Sequence, residues 1–178
     1  SACGPQGGNQ AVDKAQDAAS APVGQTSAVV MGGNLVSAYV PAAAMGDMYE
    51  IQAADIALDR SARADVKALA QMIKTDHTAA SAAFKTAAAT AAPGVALPTD
   101  LDERRKGLVD NLRSASVADF DKVYIDQQVA AHQEAVTLHR GFADNADAPA
   151  LAAHARNVLP KIEAHLQEAQ EIQAAISA

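Results

Sequence analysis

Three histidines, His77, His132 and His165, each fall in the middle of a separate helical stretch. Imidazole is the side chain that ligates transition metals, carries protons near neutral pH or anchors buried hydrogen bonds. His165 stands in a seam that is otherwise apolar: Leu151, Ala155, Val158, Ile162, His165, Ala169, Ile172, Ile176, spaced by three and four residues as a buried helix face requires. An imidazole where Leu would be less costly must find a hydrogen-bond partner, a charge or a metal to offset its desolvation. Carboxylates at Glu50, Asp76 and Glu163 could help a metal, and Met45, Met48 and Met72 could add thioethers for copper. Such an imidazole-rich set suits Zn, Cu, Ni or Fe better than Mg or Ca.

The same residues admit a second reading. His77 could be a core histidine bonded to Tyr124 or Glu50, Asp76 a solvated group on the flank of its helix, and Tyr124 an aromatic knob whose hydroxyl finds a buried partner. The histidines would then form a core hydrogen-bond network that fixes register in a structural or interaction protein. His139 and His154 lie nearer a helix-helix turn and are expected at the surface or partly exposed.

The elements that must position these groups are legible as helices. Over 178 residues, 49% are hydrophobic, only 3% aromatic and none is Trp, so an all-α fold packed through small side chains is expected. Pro41 fits a first turn, and a helix is predicted from about Val40 to Asp59. A second restarts near Ala62, presents Val66, Leu69, Ile73, His77, Ala80 and Phe84 on one face, and stops at Ala91-Ala92-Pro93-Gly94. Thr99 or Asp100 could cap a short helix through Leu112 in the connection. A further long helix opens near Ser116 and runs through Tyr124, Gln128, His132 and Phe142 to about Asp144. The last runs from Pro149 to the end, with a kink or wide turn expected at Pro160.

This gives a four-helix bundle with a short extra helix in the second connection. At ~1.5 Å per residue, His77 lies about 22 Å from the first turn, while His132 and His165 lie about 20 and 24 Å from the last. All three sit near mid-height, so they converge whichever way the third long helix runs, and the helix order itself stays open. Glu50, at about 14 Å by the same rise, falls more than a turn from that layer.

Residues 1–37 have a different character from 38–178. Ser1-Ala2-Cys3-Gly4 resembles the end of a bacterial lipoprotein signal, and the Gly-, Ala- and Gln-rich run after it cannot bury enough surface to fold alone. This predicts a tether carrying lipid on Cys3, at the periplasmic face of the outer membrane. A lone reduced Cys of a cytosolic protein is the other reading. No run of about 18 apolar residues spans a bilayer, so a membrane is reached only through the lipid. Net charge is −7 and basic residues form no stripe, which argues against nucleic acid and makes a cation the more natural guest. Cys3 is in the tether, and no nucleophile elbow, phosphate loop or dinucleotide fingerprint occurs, so an enzyme of nucleophilic type is unsupported.

Four blocks in order resemble the bacterial family called domain of unknown function 4142, over residues 39–173. They are Met48-Tyr49-Glu50-Ile51; Val66 to Ile73 with Asp76-His77-Thr78; Phe120 to Tyr124 with Ala131-His132-Gln133-Glu134; and Leu159-Pro160 with His165-Leu166. The resemblance implies a ferritin-like fold and an exported protein, and no activity. A ferritin-like fold raises the question of a di-iron carboxylate site, which draws Glu-x-x-His pairs from two helices. Here Lys74, Val129 and Ile162 precede the three histidines at that spacing, so the pairs are absent.

Overall fold

A computed structural model describes residues 35–178. Cys3 and nearly all of the expected tether lie outside them. Among the described residues the chain forms five helices and no strand: α1 (Val36–Arg60), α2 (Ala64–Ala91), α3 (Glu103–Ser114), α4 (Phe120–Phe142) and α5 (Pro149–Ser177).

The four long helices fall where apolar periodicity placed them, with shifts at the ends. α1 begins four residues ahead of the expected Val40, and Pro41 therefore lies inside it rather than in its first turn. The reason is tertiary: Tyr39 and Val40 are fully buried against α2, α4 and α5, and their burial outweighs the missing N–H of Pro41. α3 is capped by Asp102, whose carboxylate accepts from the Arg105 N–H at 2.9 Å, not by Thr99 or Asp100. Ser116 starts a turn that α4 continues only from Phe120. α5 continues unbroken through Pro160, which lies on its exposed side, so no wide turn interrupts it there.

α1 packs on α2 and α4, and α5 packs on the same two. α1 and α2 are joined by three residues and run antiparallel; α4 and α5 do the same across a short turn. α2 ends beside the start of α1, whereas α4 begins at the opposite end, where Phe120 meets Ala57, Val66 and Ile172. The 92–119 connection therefore crosses the full length of the molecule, and α3 within it lies over α1 and α4. This crossover settles the helix order that sequence left open.

Two apolar clusters fill the interior. One, at the crossover's far end, joins Ala53, Leu69, Ile73, Tyr124, Ile125 and Ile172; the other joins Tyr39, Phe84, Leu138, Phe142, Leu151 and Ala155. On each long helix one residue of a mid-height polar layer, Asp47, His77, His132 or His165, falls between these clusters.

Candidate metal centre

Helical spacing carries three imidazoles into the layer between the clusters. His77 continues the buried stripe Val66, Leu69, Ile73 of α2; His132 continues Tyr124, Ile125, Gln128 of α4; His165 sits between Ile162 and Ala169 of α5. All are buried, His132 fully. One ligand nitrogen from each lies within 4.8 Å of the other two, and His132 Nε2 is 3.4 Å from His165 Nδ1.

Their other nitrogens are each held by an acceptor. His77 Nδ1–H donates to Asp47 Oδ1 at 2.8 Å, His132 Nδ1–H to the Gln128 carbonyl at 2.9 Å, and His165 Nε2–H to Asp76 Oδ2 at 2.8 Å. These acceptors assign the tautomers. The nitrogens left over, His77 Nε2, His132 Nε2 and His165 Nδ1, then keep their lone pairs in a cluster where one nitrogen of each ring lies within 4.8 Å of the others. His77 Nε2 is buried with no hydrogen-bond partner. Three converging lone pairs repel unless a cation stands among them. Metal-binding histidines are oriented in this way, by carboxylates and carbonyls on the far nitrogen.

Asp76 is therefore not simply solvated: it is half-buried, bonded to His165, and also 3.3 Å from Lys161. Its backbone position next to His77 turns it toward α5 while His77 points inward. Asp47 was not singled out from sequence. The signal was present, since it precedes Glu50 by three residues and shares its helix face. Glu50 is deeper in the layer than the rise along α1 suggested, because its side chain reaches down to it: Oε1 lies 3.6 Å from His132 Nδ1. It stands on the outer side of that imidazole rather than among the converging nitrogens. Glu163 pairs with Arg140 on the surface, Met72 is exposed, and Met48 packs on the apolar cluster of Leu69 and Tyr124.

The electrostatics follow from burial and partners. Burial holds His132 well below the ordinary imidazole range, and His77 and His165 push it further. Burial also lowers His165, with Asp76 opposing. Burial acts the same way on His77, but the Asp47 bond and the charges of Glu50 and Asp47 outweigh it and raise His77 above its ordinary value. Burial pushes Glu50 up to about 7 against the pull of His77 and Gln128. Glu50 Oε2 and both amide atoms of Gln128 are buried at more than hydrogen-bond distance from any partner, although the Gln128 amide still draws Glu50 down, and the Tyr124 hydroxyl is buried beside them. The Tyr124 hydroxyl, expected to find a buried partner, has none at hydrogen-bond distance among the described residues.

His139 and His154, expected near the surface, are buried, at 7% and 6% exposure. The early start of α1 brings Tyr39 over them. Tyr39 stacks on Phe142 with ring centroids 4.0 Å apart, and its hydroxyl lies 2.8 Å from His139 Nδ1. His154 lies 5.5 Å from the Phe84 ring. His139 is pushed down to about 3 by burial and by His154, so it is neutral and its Nδ1 accepts the tyrosine O–H.

A cavity of about 360 Å³ runs along α4, between it and α1, under the edge of α3. Its walls are largely small residues, among them Ala42, Gly46, Ala130 and Ala131, and Glu50 and His77 lie at its inner side.

A family model described as Domain of unknown function (DUF4142) matches residues 10–172, reaching further toward the N-terminus than the four blocks noted above. No curated protein and no solved structure matches the chain.

Proposed function

The chain belongs to the DUF4142 family, whose name carries no activity, and from the geometry of its centre we propose that it binds one transition-metal ion, Zn, Cu or Fe, through His77, His132 and His165. The observation that supports this is the convergence of three imidazole nitrogens whose opposite nitrogens are all occupied by Asp47, Gln128 and Asp76. Three imidazoles leave at least one coordination position for an outside ligand. The crossover between α2 and α4 supports a ferritin-like four-helix bundle with an extra helix in that connection. The absence of Glu-x-x-His pairs separates it from a standard di-iron centre.

Elemental analysis of protein purified without an affinity tag, then dialysed against Zn, Cu, Fe(II) or Mn, tests the site. One ion per chain is expected with at least one of these metals, and none in His132→Leu. A wild type that retains no metal refutes it. A specific observation favours a second reading: with Asp47 beside it, His77 is the one imidazole of the three raised above its ordinary value. A proton on His77 would supply the missing cation, leaving a purely structural network.

We propose also that the domain is exported and held at the periplasmic face of the outer membrane by lipid on Cys3. The Ser1-Ala2-Cys3-Gly4 motif and the polar run after it support this. Among the described residues no helix is long and apolar enough to cross a membrane. Mass spectrometry of the protein from its own host should find Cys3 acylated and Ser1 and Ala2 removed; an unmodified Cys3 would end the idea.

A further inference from the structure

The slot between α1 and α4 is an apolar groove that none of the described residues fills. Leu108 of α3 and Val123 and Leu138 of α4 line it together with Ala42, Gly46 and Ala131. At Gly46 an added Cβ would meet nothing within 4 Å. The charged side chains on its rim are matched to one another: Arg104 lies 2.9 Å from Glu134, Arg105 2.7 Å from Asp102 and Lys122 2.6 Å from Asp126. What suits such a groove is therefore an uncharged segment that gains by covering apolar surface.

The chain itself supplies one. Residues 1–34 precede α1, and the family model that matches the helices begins at residue 10, so it takes in most of this stretch as well. The longest apolar run within it is Ala28-Val29-Val30-Met31, which carries no charge and is followed directly by Gly32-Gly33. Two consecutive glycines let a chain reverse sharply. The reach also fits. Counted from Leu35, Ala42 and Gly46 lie about 10 and 16 Å along α1 at ~1.5 Å per residue. A chain that turns back at the glycines covers that interval with the residues about three to five positions before the turn, at ~3.3 Å each.

We propose that residues 27–31, Ser27-Ala28-Val29-Val30-Met31, fold back at Gly32-Gly33 and occupy the slot between α1 and α4, so that only the stretch before them is a free tether. The segment lies outside the described residues; its reach, its lack of charge and the family match assign it to the slot. The proposal stands whether or not the histidines take a metal.

The test is an NOE experiment on the full, unaltered chain in EDTA, with its Ala, Val and Leu methyl groups isotopically labelled. Cross-peaks are expected from the Val29 and Val30 methyls to those of Ala131 and Leu138. Gly46→Leu, which fills the slot from α1, should abolish these cross-peaks and return both valines to the shifts of an unstructured chain. Unstructured-chain shifts for Val29 and Val30 in the wild type, with no cross-peak to Ala131 or Leu138, would overturn the proposal. So would cross-peaks that survive in folded Gly46→Leu, which would seat the segment elsewhere. Cross-peaks that appear only between differently labelled molecules would overturn it too, because the occupant would then belong to a second copy. The wild-type spectrum decides even where the variant fails to fold. Because EDTA is present throughout, failure here leaves the metal stoichiometry to be judged separately.

Discussion

The molecule buries histidines at two levels, and the two levels are built differently. Near the start of α1, His139 is capped by the Tyr39 hydroxyl, Tyr39 is stacked on Phe142, and His154 packs beside the Phe84 ring. At mid-height, His77, His132 and His165 have acceptors behind them and only each other in front. Burial alone therefore says little about what an imidazole does. What separates the levels is where the unprotonated nitrogen points: toward a donor in one case, toward other lone pairs in the other.

Acid should have the largest effect, and should act on the upper level even in metal-free protein. Burial, with His154, holds His139 down to about 3 in the fold, against roughly 6.5 in an unfolded chain. Between those values the unfolded state binds the additional proton. Stability from this group is thus full above roughly pH 6.5 and is lost as pH falls toward 3. Urea unfolding in EDTA across that range should show the decline, and His139→Leu should flatten it in part. An unchanged slope in the variant would mean that the upper level is not what titrates.

Metal should separate the levels next. At a hundredfold excess over Kd, a bound ion adds about 2.7 kcal/mol, or roughly 5–10 °C in Tm for a domain of this size. Thermal melts should show the shift in wild type and in His154→Leu, and none in His165→Leu. A shift retained by His165→Leu would erase the distinction between the two levels. With EDTA, His165→Leu should melt at or above the wild type, because Leu completes the apolar seam of α5 and Lys161 remains beside Asp76. In the network reading the same change costs about 1–3 kcal/mol.

Tyr39→Phe sharpens the contrast from the other side. It removes the donor to His139 Nδ1 and should cost about 1–2 kcal/mol without altering metal uptake. The smallest effect belongs to Gly46→Ala, which sits in neither level. Its new Cβ meets nothing, so the helix should gain up to about 1 kcal/mol in chemical unfolding.

Apolar periodicity placed all four long helices and the short one, because each buries a stripe whose spacing survives in the residues themselves. His77, His132 and His165 were legible for the same reason: one imidazole per stripe, each near mid-helix. Three things were not legible. The crossover depends on which helix faces which, and hydrophobic pattern does not encode it. The burial of His139 and His154 depends on α1 starting at Val36, against the local signal of Pro41. Asp47 and Asp76 look like ordinary surface carboxylates until their imidazole partners, from other helices, are in place.

The crossover between α2 and α4 also bears on how the domain comes together. The contacts that define its centre are remote in sequence: Asp76 meets His165 across 89 positions, and Tyr39 meets His139 across 100. The α1–α2 and α4–α5 hairpins can each close early, from local contacts. Neither owns a working set of ligands: the first holds only His77 and the second only His132 and His165. The histidine cluster is thus a late product of docking the two halves, and a nascent chain cannot bring the three imidazoles together until α5 has been made.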